Sequence, residues 1–252
     1  MMKEIKFKKL IALLLILSVI GIVYIFNPYK LEHIGHRDKI MAHRVNSLEK
    51  LSYTENFYSG VELDLMYDAG KQTFDINHPP APSIGLDLKT YVTHIQNKNL
   101  KLWLDMKNLS EENAAEAAKI LHRIITENGI AKKNVLVESP KIQLLHYFKA
   151  EGFTTSFYLP YFMYEEDEVT LKKTIDSLNT LKLKYAYDGI SADVNNYEIL
   201  KQHFPDDRKF LWDLHQPYSR RQVKHFKEFR KYVKDPTVEI ILVRVALPIG
   251  SR

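Results

Sequence analysis

Two stretches of alternating side chains place carboxylates where they can do chemistry. In Val61-Glu62-Leu63-Asp64-Leu65 an extended chain turns the apolar residues to one face and Glu62 and Asp64 to the other. Lys101-Leu102-Trp103-Leu104-Asp105-Met106-Lys107 repeats the device, with Leu102, Leu104 and Met106 on one face and Trp103, Asp105 and Lys107 on the other. Carboxylates turned toward a core are costly unless they are paired or bound to a cation. Glu62, Asp64 and Asp105 together form an all-oxygen set suited to one divalent cation, Mg2+ or Ca2+, and not to zinc. Lys107 adds a point charge that suits a phosphate oxygen. The plainer alternatives are a half-exposed edge strand for the first stretch and an ordinary Asp105–Lys107 ion pair for the second.

Two histidines fall at the ends of extended runs: His43 in Met41-Ala42-His43-Arg44, and His78 in Ile76-Asn77-His78-Pro79-Pro80. The double proline ends its run and stiffens the turn that carries His78. Two imidazoles beside a bound phosphate can serve as base and acid near neutral pH. The residues themselves do not say which is which. The other eight histidines sit mostly in helices or linkers and read as structural, with His215 worth separate note because it follows a strand.

Strand-like runs at 40–44, 61–67, 73–77, 101–107, 134–138, 154–159, 189–194, 209–214 and 238–245 must position these groups. Helical patterns lie between most of them, at 86–96, 111–128 and 222–233 for example, with Ser110 as an expected N-cap. Alternation of strand and helix implies a parallel sheet. If 73–77 is an extra strand within the second unit, about eight βα units remain, which is the count for a single (β/α)8 barrel of the TIM type. An open doubly wound sheet is disfavoured because no Gly-rich loop follows the first strand. Barrels place their chemistry at the carboxyl ends of strands, where Glu138, Tyr158, Asp193, Asp213 and Arg244 also fall. Glu138 would join a cation's shell or orient a ligand, and Arg244 would bind phosphate or pair with a carboxylate. After the 154–159 run, the aromatic stretch from Tyr158 to Tyr164 would touch a lipid headgroup or sugar, or simply cover the barrel mouth.

The 252 residues suit one such barrel, with 45% hydrophobic and 27% charged residues. The net charge of +5 is concentrated in Lys3, Lys6, Lys8 and Lys9, so the remainder has no basic face of the kind nucleic acid requires. The absence of cysteine excludes disulfides, thiol nucleophiles and Cys-ligated zinc. From Leu10 to Phe26 about 17 residues carry no charge, near the lower limit for a membrane-spanning helix. The large residues that follow argue against signal cleavage. The expected organisation is therefore a signal anchor over residues 1–29 with the lysines cytoplasmic, and an extracytoplasmic barrel over residues 30–252 held at the membrane by that one helix.

The ordered set His43-Arg44, Glu62-x-Asp64, His78 and Asp105-x-Lys107 resembles the signature of glycerophosphodiester phosphodiesterases and of the related sphingomyelinase D enzymes, members of the phospholipase-C-like superfamily. In local wording it is closer to the menorin family, through His43-Arg44-Val45-Asn46-Ser47, His78-Pro79-Pro80 and the run from Lys101 to Lys107. The matching motifs cover residues 42–107, and beyond them only the strand–helix rhythm and Trp212 agree. The resemblance implies a cation held by Glu62, Asp64 and Asp105, a catalytic pair in His43 and His78, and phosphate contacts from Arg44 and Lys107. It also marks Asn46 and Trp212 as pocket residues. The implied reaction is metal-dependent cleavage of a phosphodiester by a hydroxyl of the substrate's own alcohol, through a cyclic phosphate. The substrate would be a glycerophosphodiester, a phospholipid or an envelope polymer. The sequence departs from the glycerophosphodiesterase pattern at Val45, where a Gly is usual, and at Asp105, where a Glu is usual. Alternatives are a catalytically inactive, membrane-anchored barrel used for binding or scaffolding, and a metal-dependent enzyme acting on glycans.

Overall fold

The strand register shows how the chain closes on itself. A computed structural model describes residues 2–26, 29–214 and 222–245. A first helix, α1 (Met2–Phe26), precedes β1 (Ile40–Ala42), α2 (Leu48–Thr54), β2 (Gly60–Asp68) and β3 (Thr73–Ile76). Then come α3 (Leu88–Thr93), β4 (Lys101–Met106), α4 (Ala114–Glu127), β5 (Val135–Ser139), α5 (Leu145–Ala150) and β6 (Thr154–Tyr158). The chain continues through α6 (Glu168–Lys184), β7 (Gly189–Asp193), α7 (Tyr197–His203), β8 (Lys209–Asp213), α8 (Gln222–Lys234) and β9 (Val238–Val243). Eight strands pair in parallel around a ring, closed where β1 meets both β9 and β2. The expected extra strand is β3, which pairs antiparallel with the upper half of β2, Leu65 opposite Ile76 and Asp68 opposite Thr73. The architecture is the expected eight-stranded barrel with helices outside it.

Side-chain alternation sorts each strand into two environments. Outward residues such as Val61, Leu63, Leu102 and Leu104 pack under α2 to α5, and Ile190, Leu211 and Ile241 pack under α6 to α8. Inward residues Met41, Trp103, Leu136, Phe210 and Trp212 fill the barrel itself. The lower interior is tight enough to need two glycines. A Cβ on Gly60 would lie 2.4 Å from the Lys101 carbonyl oxygen and 2.7 Å from Met41 Cε. One on Gly189 would lie 2.5 Å from Phe210 Cε2 and 2.8 Å from the Arg208 carbonyl oxygen. The filled lower barrel leaves only its carboxyl end for polar groups.

Helix α4 begins later than expected. Ser110 does not cap it; the backbone N–H groups of Asn113 and Ala114 both donate to the Ser110 carbonyl, and the Asn113 side chain turns back to accept from Ser110 N at 2.8 Å. The expected membrane-spanning anchor falls on α1. The apolar run is part of α1, and its side chains from Leu10 to Ile20 are largely exposed. Among the described residues, no helix is long and apolar enough to cross a membrane. The uncharged run of about 17 residues rises roughly 25 Å, near the lower limit for a membrane-spanning helix. Its last turn is engaged by polar groups as well: the Tyr24 hydroxyl donates to Glu32 at 2.7 Å, and Lys30 Nζ donates to the Tyr24 carbonyl. His215 lies outside the described residues.

Gly189→Ala is expected to cost about 1–3 kcal/mol, because the new methyl must displace the Phe210 ring or the Arg208 backbone in a filled interior. Urea unfolding of the two proteins measures it; an unchanged midpoint would show that the lower barrel yields.

Candidate functional site

Four carboxyl groups come from three neighbouring strands. Asp64 on β2 stands opposite Asp105 on β4, which stands opposite Glu138 on β5, and Glu62 lies one inward step below Asp64. All four are buried. Oxygens of Glu62, Asp64 and Asp105 lie within 4.8 Å of one another. Asn46 fixes Asp64 from both sides: its amide Nδ2 donates to Asp64 Oδ2 at 2.7 Å, and its Oδ1 accepts from the Asp64 backbone N–H at 3.1 Å. Lys107 Nζ donates to Asp64 Oδ1 at 2.9 Å and also to Asp105.

The turn after β1 carries His43 and Arg44. Arg44 adopts φ 51°, a left-handed conformation that residues with a Cβ rarely take. That conformation aims the Arg44 backbone N–H at Glu62 Oε2, 2.6 Å away. Lys50, from α2, holds the turn in place by donating to the carbonyls of His43 and Arg44, each at 2.7 Å. Ser47 caps the helix by accepting from Lys50 N at 3.2 Å. The sequence reading missed Lys50; its only signal was a position three residues beyond a Ser N-cap that itself follows the His-Arg turn.

His43 Nε2 lies 3.7 Å from Glu62 Oε2. On the opposite side, Arg44 Nη2 donates to His78 Nε2 at 2.7 Å. A guanidinium has no acceptor, so in this contact the His78 nitrogen accepts. The β2–β3 hairpin delivers His78: Asn77 N donates to the Asp64 carbonyl at 3.0 Å, tying the end of β3 beside the carboxylates.

These groups surround one cavity of about 120 Å³. His43, Arg44, Glu62, Asp64, His78, Asp105 and Lys107 all line it, as do Glu138, Tyr158 and Trp212. Trp212 is the far wall, stacked on Tyr158 with ring centroids 4.9 Å apart and facing Tyr161 at 6.5 Å. Tyr161 is a lining residue of the aromatic loop, while Phe162 and Tyr164 beyond it are exposed to solvent. Asn46, Asp193 and Arg244 do not line the cavity. Asn46 acts on Asp64. Asp193 accepts from Asn195 N and Nδ2 at 2.8 and 2.7 Å and so shapes the turn after β7. Arg244 is exposed. Asp213 points outward, away from the cavity, and pairs with His225 of α8 at 2.5 Å.

Electrostatics divides the carboxylates. Burial, then the charges of Asp64 and Asp105, pushes Glu62 well above the ordinary carboxylate range. Burial also raises Asp105, although Lys107 opposes it. Burial works against Asp64 too, but Lys107 and the Asn46 amide outweigh it and hold the group low. Burial, and next the Arg44 charge, lowers His43 to about 3, so its imidazole is neutral. Three mutually repelling carboxylates with one ammonium among them, all oxygen donors and all oriented by neighbours, fit a hard divalent cation. The geometry does not choose between Mg2+ and Ca2+.

No family model matches the sequence, and neither does any curated protein. Solved structures do share the fold. The glycerophosphodiester phosphodiesterase from Parabacteroides distasonis is 14% identical with a TM-score of 0.54, covering 81% of this chain and 92% of that one. The Thermotoga maritima glycerophosphodiester phosphodiesterase is 16% identical with a TM-score of 0.52, covering 81% and 93%. An Oleispira antarctica phosphodiesterase, solved with its product sn-glycerol-3-phosphate, is 12% identical with a TM-score of 0.52, covering 81% and 92%. The barrel is thus the one these phosphodiesterases use.

Calorimetric titration with Mg2+ or Ca2+ is expected to give one site that Asp64→Asn abolishes. Asn46→Ala, which removes the clamp on Asp64, should weaken it by about 10–100-fold. Unchanged affinity in Asp64→Asn would place the cation elsewhere.

Proposed function

We propose that this chain is a metal-dependent phosphodiesterase of the glycerophosphodiester or phospholipid type. The observation that carries the reading is the convergence of two imidazoles, two cationic side chains and three carboxylates on one small cavity at the carboxyl end of the barrel strands. The shared barrel of the glycerophosphodiester phosphodiesterases supports it, as does the alcohol monophosphate bound to one of the similar structures.

Glu62, Asp64 and Asp105 would hold the divalent cation, which when bound supplies charge stabilisation at the phosphoryl oxygens. Lys107 and Arg44 flank the same position and meet the remaining phosphoryl charge, Lys107 as a point charge and Arg44 through its planar fork. The turn that carries Arg44 is fixed by Lys50 and by Glu62, so the guanidinium starts from a defined place.

His43 and His78 line the same cavity, His78 in contact with Arg44, and supply the proton transfers. One imidazole accepts the proton of a substrate hydroxyl as its oxygen attacks phosphorus. The other protonates the departing alkoxide oxygen as the P–O bond breaks. The attacking hydroxyl belongs to the substrate's own alcohol, so the first product is a cyclic phosphate diester with the second alcohol released. Hydrolysis of the ring, with water in place of the hydroxyl, then uses the same two imidazoles. Substrates in this class are glycerophosphodiesters, phospholipid headgroup diesters and glycerol-phosphate polymers of an envelope. A location outside the cytoplasm belongs to the proposal and rests only on the basic cluster and apolar run at the amino terminus.

The purified chain is expected to turn over bis(p-nitrophenyl) phosphate and glycerophosphodiesters with added Mg2+ or Ca2+. His43→Ala and His78→Ala should each lower kcat by about 10²–10⁴-fold. Absence of turnover on every diester, with cation binding intact, would overturn the enzymatic reading.

A further inference from the structure

One carboxyl group in the cavity belongs to neither the cation set nor the phosphate contacts. Glu138 stands on β5 directly across from Asp105 and lines the cavity at 2% exposure. Its Oε2 makes no hydrogen bond. Buried polar atoms without partners are rare in folded proteins, because their desolvation goes unanswered, and each one asks for a ligand or an ordered water. The zone beside Glu138 is polar as well. Ser156 on β6 faces Glu138 across the strand pair, and Ser191 on β7 faces Tyr158. Both serines are fully buried; Ser191 lies close enough to Glu138 to stabilise its carboxylate, while the Ser156 hydroxyl has no hydrogen-bond partner.

The cavity's size limits what can reach this carboxyl. At about 120 Å³ it is well below the roughly 300 Å³ at which pockets begin to enclose drug-sized ligands. It therefore takes a headgroup-sized moiety, with anything longer passing out beside Phe162 and Tyr164. The aromatic part of the wall, Tyr158 stacked on Trp212, offers no acceptor of the same strength. The remaining need of the cavity is a donor for Glu138.

We propose that Glu138 receives a hydroxyl of the substrate's alcohol moiety, so that this residue selects diesters of glycerol-like polyols over diesters whose alcohols carry no hydroxyl. The inference rests on the phosphodiesterase reading above and deepens it. Standing one strand beyond Asp105, Glu138 holds such a hydroxyl immediately beside the phosphoryl position, where a neighbouring hydroxyl of the same polyol can attack. A hydroxyl both donates to the carboxyl and keeps lone pairs for other groups.

The test is calorimetric titration of the full chain, with Mg2+ or Ca2+ present, using sn-glycerol 3-phosphate, phosphoethanolamine and inorganic phosphate. The native chain should bind glycerol 3-phosphate about 10-fold or more tighter than either other ligand, as loss of one hydrogen bond to a buried polar group predicts. Glu138→Leu should bind all three alike, with its affinity for inorganic phosphate unchanged. Should that variant not fold, the near-isosteric Glu138→Gln serves, with an expected loss of about 3–10-fold for glycerol 3-phosphate alone. Equal affinities in the native chain, a preference for phosphoethanolamine, or a glycerol preference that survives in the variant would each overturn the proposal. No affinity for any of the three phosphates would instead remove the phosphodiesterase reading on which it stands.

Discussion

Glu62, Asp64 and Asp105 lie inside a barrel where charge has little water to answer it, and Lys107 is the ammonium among them. Negative charge at this depth survives only with compensation. Each surrounding feature can be understood as part of that compensation. Asn46 gives Asp64 two hydrogen bonds, the Arg44 backbone N–H gives Glu62 one, and Lys107 spans Asp64 and Asp105. A divalent cation held there would complete the balance, and the same excess of oxygen ligands that makes the site costly would make it selective for hard cations.

The fold supplies the positions. Parallel register sets Asp64, Asp105 and Glu138 at one height, and a one-residue slip of any strand would turn its carboxylate out into the helical layer. β1 is only three residues long, so the chain leaves the sheet early and turns sharply through Arg44 above the carboxylates. β2 runs for nine residues, past the ring, and uses its upper end to pair with β3 and bring His78 back over the site. A short strand and a long one, side by side, therefore deliver the two imidazoles to one cavity.

Much of this was legible in the sequence because period-two alternation reports strand faces directly. The carboxylates of 61–65 and 101–107 stood against unbroken apolar partners, and a barrel interior is where such a face must go. The later strands were harder to read. Asp193, Asp213 and Arg244 all fall near strand ends, yet one shapes a turn, one faces α8 and one is exposed, because strand-end position does not fix which way a residue points. Lys50 was hidden in a helix, where it resembled any solvated lysine, and its role depends on carbonyls brought to it by tertiary structure. The amino-terminal run was read from composition alone; in the structure it forms α1, whose last turn is held through Tyr24 by Glu32 and Lys30.

The central claim is that a phosphodiester is cleaved at this cavity by a hydroxyl of its own alcohol. Phosphorus NMR of the native chain with glycerophosphocholine and Mg2+ or Ca2+ tests it most directly, because diester, cyclic phosphate and monoester give separate resonances. The account predicts metal-dependent loss of the diester signal, with a cyclic glycerol phosphate resonance appearing before any monoester. A diester signal that stays constant with metal present, or a monoester that forms with no cyclic species at any time, would contradict it.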